Sequence, residues 1–168
     1  MSLYDEDFKM NERPKWSEVY LKFADILKSR STCKRAAVGC VVTSWDHNRV
    51  LAIGYNGNYS GGPNTCDSDE PGACGCLHGE ENAIIKLDYN DHSMKRLYTT
   101  TSPCLMCSKR IINAGIKQVV YSSLYRKNDG IDLLRKNSIE IVYLDDIFKS
   151  SDPVHLDGWL NPDGSFIR

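Results

Sequence analysis

Two short segments constrain this chain more than any other feature, because together they predict a metal site that the fold must assemble from distant residues. One segment reads His-Gly-Glu at residues 78–80, and the other reads Pro-Cys-Leu-Met-Cys at residues 103–107. One histidine with two cysteines is a known ligand set for a catalytic zinc ion, which leaves its fourth position to water. We therefore predict His78, Cys104 and Cys107 as the ligands of a catalytic zinc.

The spacing of these residues indicates how they meet. Cys104 and Cys107 are three apart and would share one face of a helix that starts near Pro103, where the helix N-terminus also lowers thiol pKa values. We expect His78 at or just before the start of another helix. Glu80 is then free to act as a general acid/base that moves protons between the water and the substrate. A purely structural zinc site is the alternative, but it needs a fourth ligand and gives Glu80 no task.

The composition is that of an ordinary globular protein. The 168 residues are 26% charged and 41% hydrophobic, with a net charge of -1. We expect a single domain over residues 1–168, with an N-terminal arm at 1–14 and a C-terminal tail at 147–168. The small net charge weighs against a nucleic-acid partner. The polar N-terminus is no signal peptide and no apolar run could span a membrane, so we expect a cytoplasmic protein whose seven cysteines bind metal rather than form disulfides.

Hydrophobic patterning predicts an opening helix and a hairpin, followed by alternating helices and strands. The predicted helices occupy residues 16–29, 79–89, 104–114 and 131–137, and Gly115 ends the third. The predicted strands occupy residues 36–43, 50–54, 97–101, 119–122 and 139–144. This order favours an α/β fold, a three-layer α/β/α domain with a mixed five-stranded sheet. Cys40, inside the first strand, is interpreted as a small buried apolar residue.

The pattern H-x-E followed by P-C-x-x-C resembles the signature of the zinc nucleoside and nucleotide deaminases. Within that group, residues 16–144 are most similar to the deoxycytidylate (dCMP) deaminases, which share Gly-Tyr-Asn-Gly at residues 54–57, a long loop before the motif and histidine as the first ligand. The resemblance implies the cytidine deaminase-like fold. One departure is that residues 78–83 read HGEENA where the family often has HAELNA. The additional carboxylate, Glu81, is interpreted as a solvated or helix N-terminal charge.

The resemblance implies hydrolytic deamination of dCMP to dUMP with release of ammonia, which would supply dUMP for dTMP synthesis. Glu80 would take the proton of the attacking water, give it to N3 of the cytosine and later protonate the leaving amine. The family is commonly a homo-oligomer and allosteric, activated by dCTP and inhibited by dTTP with Mg²⁺. An effector nucleotide would be bound by the loop of Gly54, Tyr55, Asn56 and Gly57.

Three residues are candidates for substrate contacts. By resemblance, Asn56 binds the sugar and Tyr125 lies near the phosphate, with Arg126 and Lys127 as neighbours. The carbonyl of Ser102 is a candidate for holding the pyrimidine edge. Asn-Gly is also a turn former, and a tyrosine after a strand is often simply half-buried, so structural roles for Asn56 and Tyr125 are the alternatives.

Four further cysteines predict a second, structural zinc site: Cys33, Cys66, Cys74 and Cys76. Three of them lie in the loop before His78, which has little apolar content to order it. Zinc bound by four thiolates would supply that ordering free energy. Some members of the resembled family also carry an extra zinc near this loop. The alternative is a buried helix-end thiol at Cys33 and partly free thiols at the other three positions.

Other functions share the same motif. The alternative substrates are dCTP, a tRNA adenosine and a riboflavin precursor, and a different class of function is a non-catalytic protein that binds zinc or a nucleotide. Glu80 argues against that last class, because a pure binding protein has no use for a carboxylate directed at the water on the zinc.

Overall fold

The computed structural model describes residues 13–70 and 73–144, so most of the predicted N-terminal arm at 1–14 and all of the predicted tail at 147–168 lie outside it. The helices are α1 (Trp16–Lys28), α2 (Gly79–Ile84), α3 (Leu105–Asn113) and α4 (Asp129–Lys136). The strands are β1 (Gly39–Ser44), β2 (Val50–Tyr55), β3 (Lys95–Thr99), β4 (Ile116–Tyr121) and β5 (Glu140–Tyr143). All nine elements predicted from the sequence are present, with shifted ends in several cases.

The five strands form one mixed sheet in the order β2-β1-β3-β4-β5. The polar segment between β1 and β2 makes the predicted hairpin, and β1 also pairs antiparallel with β3. Strands β3, β4 and β5 are parallel to one another, which requires the crossover helices α3 and α4 between them. The predicted mixed five-stranded sheet is therefore confirmed.

Two apolar clusters, one on each side of the sheet, make the three layers. Helix α1 packs on one face through Tyr20, Leu21, Ala24 and Leu27, against strand residues that include Val41 and Tyr98. The other face carries α2, α3 and α4, whose inward residues are Ala83, Ile111, Ile131 and Leu134. Alternation along β1 explains this division, because Val41 points to one cluster while Cys40 and Val42 point to the other. Cys40 is fully buried, as predicted.

Helix α2 is much shorter than the predicted span of 79–89. It ends at Ile84, and the next backbone N–H groups, of Lys86 and Leu87, donate to carbonyls only three residues back. Asp88 then accepts a hydrogen bond from the N–H of Asn90, a turn-forming contact. The apolar spacing of Ile84 and Leu87 continues past the helix and still packs both residues on the core, which is why the sequence pattern overran the end.

Two strands also begin at different residues than predicted. Strand β1 starts at Gly39 rather than at residue 36, and the carbonyl of Ala36 accepts a hydrogen bond from the side chain of Asn56 instead of joining the ladder. Strand β3 starts at Lys95 rather than at residue 97. Lys95 and Arg96 read as loop residues in the sequence, but both are buried at the start of the strand.

Close packing of α2 on β2 depends on the absence of a side chain at Gly54. A Cβ atom at this position would lie 2.6 Å from the backbone nitrogen of Ala83 and closer still to the carbonyl oxygen of Gly79. The start of α2 is thus set against the end of β2. None of the helices in the described part of the chain is long and apolar enough to cross a membrane.

Candidate zinc and catalytic site

His78 lies at the N-cap of α2, as expected. Its backbone is extended (φ -74°, ψ 157°), so its side chain leaves the helix axis and reaches the start of α3. The Nδ1 atom lies 3.5 Å from the Sγ of Cys104 and 3.4 Å from the Sγ of Cys107. The predicted ligands from two distant segments therefore meet in one group, whose three donor atoms all lie within 4.8 Å of one another.

The chain before His78 is fixed by a tether from the end of β2. The side chain of Asn56, buried with 4% exposure, accepts a hydrogen bond from the N–H of Gly79 at 2.7 Å and donates one to the carbonyl of Ala36 at 3.1 Å. Next to it, Gly57 and Leu77 exchange two backbone hydrogen bonds. These contacts hold both sides of the histidine and set the direction in which α2 begins.

Cys104 is the N-cap of α3, and Pro103 directly precedes it. Cys107 lies in the first turn of the helix. The carbonyl of Cys104 accepts the N–H of Ser108, which starts the helix. Gly130 of α4 rests on this first turn, because a Cβ there would lie 2.8 Å from the Oγ of Ser108 and 2.9 Å from the carbonyl carbon of Cys104. The packing of α4 thus supports the two thiols from the side opposite the histidine's helix.

The donor group fits a zinc ion in both chemistry and spacing. Imidazole and thiolate are ligands that zinc prefers, and tetrahedral bonds of about 2.1 Å to nitrogen and about 2.3 Å to sulfur would put those two donors about 3.6 Å apart. The two N–S distances, 3.5 and 3.4 Å, are close to that value. Three protein donors leave one tetrahedral position for another ligand, which is the arrangement of catalytic rather than structural zinc.

The two thiols and the imidazole shift one another's pKa values. Hydrogen bonding from the Cys107 thiol, with a further contribution from His78, lowers the pKa of Cys104 to about 3, while the same bond and burial raise the pKa of Cys107. The contact with Cys104 raises the pKa of His78. A divalent cation among these atoms favours deprotonated thiols and neutral imidazole, so binding of zinc would release protons.

Glu80 lies in the first turn of α2 and points into the same group without belonging to it. Its Oε2 atom is 3.7 Å from the Sγ of Cys107, and the residue is 4% exposed. Burial raises the pKa of this carboxyl group. A sheltered carboxylate beside the metal donors can accept and return a proton, which is the role predicted for it.

The four cysteines predicted to bind a second zinc come together in a separate cluster. The Sγ atoms of Cys33, Cys74 and Cys76 lie within 4.8 Å of one another. Cys66 joins them, with its Sγ atom 3.6 Å from that of Cys76 and 4.0 Å from that of Cys33. Sulfur ligands of one tetrahedral zinc would be about 3.8 Å apart. The spacing is therefore suitable for a four-thiolate zinc site.

Two of the residues predicted to contact the substrate, Ser102 and Tyr125, lie in the loops that follow the neighbouring parallel strands β3 and β4. Ser102 follows β3 and Tyr125 follows β4, and the Ser102 hydroxyl accepts a hydrogen bond from the backbone N–H of Tyr125 at 2.7 Å. Arg126 packs near the Tyr125 ring, with its guanidinium carbon 5.5 Å from the ring centroid. The roles of Asn56, Ser102 and Tyr125 toward a substrate stay predictions, as does an effector role for Gly54–Gly57.

Two contacts around the site were not predicted from the sequence. One is the Ser102–Tyr125 hydrogen bond, which joins the loops after two parallel strands. The other is an ion pair of 2.9 Å between Glu81 of α2 and Arg110 of α3. The only signal in the sequence was the second carboxylate beside Glu80, which we interpreted as a solvated or helix N-terminal charge.

The fold and the site together define a metal-binding α/β/α domain with its ligands at two helix starts. A family model described as "Cytidine and deoxycytidylate deaminase zinc-binding region" matches residues 14–123. The chain belongs to this cytidine and deoxycytidylate deaminase family, so the resemblance seen in the sequence is confirmed.

The relatives include two fungal proteins. The chain is 38% identical over 137 residues to the deoxycytidylate deaminase of Saccharomyces cerevisiae, a match that covers 75% of this chain and 43% of the yeast protein. It is 38% identical over 126 residues to the deoxycytidylate deaminase of Schizosaccharomyces pombe, covering 67% of this chain and 38% of that protein. The chain thus matches less than half the length of each of these two relatives.

A solved structure with bound nucleotides has a similar fold. The dCMP deaminase of cyanophage S-TIM5, in complex with dCMP and dUMP, matches 80% of this chain and 100% of its own chain, with a TM-score of 0.70 and 36% sequence identity. The predicted three-layer fold with a cytidine deaminase-like arrangement is confirmed by this match.

Proposed function

We propose that this protein catalyses the hydrolytic deamination of dCMP to dUMP with release of ammonia. The observation that carries the proposal is the buried Glu80 carboxylate beside the three-donor group of His78, Cys104 and Cys107. A structural zinc site would need a fourth protein ligand and no proton carrier. The fungal deoxycytidylate deaminases and the phage enzyme bound to dCMP and dUMP support the choice of substrate.

His78, Cys104 and Cys107 would hold the zinc, which when bound makes a water molecule acidic enough to lose a proton near neutral pH. Glu80 accepts that proton, and its burial keeps the carboxylate from being solvated by bulk water. The oxygen bonds to C4 of the cytosine while Glu80 passes the proton to N3. Glu80 then carries the proton of the new C4 hydroxyl group to the leaving nitrogen and the C4–N4 bond breaks, so that dCMP and water give dUMP and ammonia.

The substrate would be held at the mouth of this site. We assign the sugar to Asn56, the pyrimidine edge to the carbonyl of Ser102 and the phosphate to the region of Tyr125, where Arg126 supplies a cation. These assignments are supported by position, since Asn56 contacts the start of α2 and Ser102 precedes the start of α3.

The experiment that tests the proposal is ammonia release from dCMP, compared with dCTP, cytidine and deoxycytidine. Wild-type protein should turn over dCMP in preference to the others. Glu80→Gln should lose at least about a hundredfold in kcat, because it removes a general acid/base, while it retains zinc. Turnover of dCTP but not dCMP would contradict the substrate, and an active Glu80→Gln variant would contradict the mechanism. A tRNA adenosine and a riboflavin precursor complete the substrate panel.

We further propose a second, structural zinc at Cys33, Cys66, Cys74 and Cys76. Hydrogen bonds from the N–H groups of Ala36 and Arg35 lower the pKa of Cys33 against the opposing effect of burial, which favours the thiolate that zinc binds. Cys76 is two residues before His78, so ordering of this loop also orders the approach to the catalytic ligands. Measurement of zinc per chain in wild type and in Cys66→Ser tests the site.

We also propose that the protein is a cytoplasmic homo-oligomer regulated by dCTP and by dTTP with Mg²⁺ through the loop at Gly54–Gly57. The seven cysteines are all free thiols in the structure, which suits a reducing compartment. Kinetics with each nucleotide, with and without Mg²⁺, and the mass of the particle in solution test these assignments. Hyperbolic kinetics that neither nucleotide changes would contradict the regulation.

A further inference from the structure

The two helices that carry the candidate site are joined by an ion pair outside the metal donors. The Nη2 atom of Arg110 in α3 lies 2.9 Å from the Oε1 atom of Glu81 in α2. Glu81 directly follows Glu80, and Arg110 lies three residues after Cys107, about one helical turn further. Each partner is therefore close in sequence to a residue of the site, but neither belongs to the donor group.

Both side chains of the pair are partly sheltered from water. The exposed fraction of the side chain is 18% for Glu81 and 36% for Arg110. An ion pair between fully solvated groups contributes little, whereas partial burial lowers the effective dielectric constant and strengthens the attraction. The guanidinium group is also planar and rigid, so its contact with a carboxylate constrains direction as well as distance.

The tether and close packing at the end of β2 fix where α2 begins, whereas the apolar contact between α2 and α3 does not constrain the separation of these two helices so closely. Ala83 of α2 and Ile111 of α3 are fully buried in the same apolar cluster. Apolar burial is non-directional, so it tolerates small displacements of one helix along another. A zinc site tolerates only about 0.2 Å in its ligand distances. His78 comes from one helix and both cysteines come from the other, so the helix separation determines whether three donors reach one ion.

We propose that the Glu81–Arg110 ion pair is a positioning element that sets the separation of α2 and α3 and thereby holds His78 and Glu80 at the correct distance from the two thiols. This inference rests on the zinc site and reaction proposed above. Glu81 and Arg110 lie outside the group of three donors, and in this proposal they act through the helices that they join.

The test is a double-substitution cycle with zinc affinity as the readout. A chromophoric zinc chelator is used to titrate three variants: Glu81→Gln, Arg110→Gln and the combination of the two. The zinc that His78→Ala still binds is held at other sites. Contacts that orient metal ligands are typically worth about 10- to 100-fold in affinity. Each single substitution should weaken zinc at the His78 site about tenfold. The combined variant should weaken it by about the same factor, because each single change already breaks the pair.

A matched control is the ion pair of Lys28 and Asp25 in α1, which has the same N–O distance of 2.9 Å and lies on the other face of the sheet. Asp25→Asn should leave zinc affinity and kcat unchanged. Glu81→Gln should lower kcat for dCMP with little change in KM, since it displaces Glu80 rather than the substrate-binding loops. If the Glu81–Arg110 pair contributed only to stability, Glu81→Gln and Asp25→Asn would both lower the melting temperature, and both would leave zinc affinity unchanged.

Three results would overturn the inference. Zinc affinity within twofold of wild type in both single variants would remove the positioning role. Losses that multiply to about a hundredfold in the combined variant would mean that each charge acts separately. If His78→Ala binds as much zinc as wild type, no zinc is held at His78, and the zinc site itself is overturned. This failure is seen from the zinc content of wild type and His78→Ala, before any variant of the ion pair is measured.

Discussion

Replacement of Gly54 by alanine should lower kcat about a hundredfold while the protein remains folded. Gly54 lies in β2 directly beneath the start of α2, and a Cβ atom there would lie 2.6 Å from the backbone nitrogen of Ala83. Backbone atoms on both sides leave no flexible side chain to move aside. Helix α2 must therefore lift away from the sheet, and it carries His78 and Glu80 with it.

The size of the effect follows from that distance. Relaxing the contact with the Ala83 nitrogen from 2.6 Å to about 3.5 Å requires a displacement of about 0.9 Å, and the closer contact with the Gly79 carbonyl oxygen requires more, so α2 must move by at least about 1 Å. A misplacement of about 1 Å can cost about a hundredfold in rate, because catalytic groups lose their alignment. Overpacking of this kind costs about 1–3 kcal/mol of unfolding free energy, which for a domain of this size lowers the melting temperature by about 2–12 °C.

The assay is kcat for dCMP together with zinc affinity and the melting temperature. Gly115→Ala is the matched control for stability. Gly115 follows α3 at φ +72° with open space around it, so alanine there costs about 1–2 kcal/mol in backbone strain without moving α2. Gly54→Ala should lose activity and zinc, and Gly115→Ala should lose only stability. A Gly54→Ala protein with kcat within threefold of wild type would refute the reasoning that β2 sets the position of α2.

Three further predictions concern other parts of the chain. Cys66→Ser should lose one zinc per chain and melt at a lower temperature, and unchanged zinc content and stability would contradict the second site. Ser102→Ala removes the acceptor of the Tyr125 N–H, a bond worth about 1 kcal/mol, so KM for dCMP should rise about fivefold with kcat nearly unchanged; an unchanged KM would contradict it. A hydrogen bond from Ser44 lowers the pKa of Asp46 in the folded state, so the ionised carboxylate stabilises the fold above its unfolded pKa and that stability is lost as pH falls through the folded pKa. Asp46→Asn should therefore be less stable than wild type at pH 7, with a difference that disappears in acid, as urea unfolding at several pH values would show.

The sequence predicted best what depends on short-range patterns. The apolar spacing of α1 and the hairpin after β1 appear where they were expected, because each is determined by neighbouring residues. The motif around His78 also indicated correctly that two helix starts would meet. The end of α2 was missed because apolar periodicity continues through Leu87 after the hydrogen bonds have changed. The start of β3 was missed because Lys95 and Arg96 are charged residues whose burial depends on hydrogen-bond partners: Lys95 donates to the carbonyl of Ser93, and Arg96 donates to the carbonyl of Trp45 and to the side chain of Gln118.

Residues that hold the site in place were harder to predict, for a physical reason. A tether is defined by its partner, and the partners here are groups far along the chain that no local pattern identifies. Arg110 shows this clearly, since nothing within α3 indicates a carboxylate on the neighbouring helix.

Asn56 shows why tethering and substrate binding can fall on the same residue. Its amide already accepts from Gly79 and donates to Ala36, yet an amide has two donor hydrogens and two acceptor lone pairs, so one of each remains for a further contact. The structural alternative raised by the sequence and the predicted sugar contact are therefore compatible. Removing the Asn56 side chain would disturb both roles at once, because the start of α2 would be released together with any bond to the sugar. A sugar contact at Asn56 would therefore couple substrate binding to the position of His78, and such coupling would give the proposed effector at the end of β2 a way to change activity.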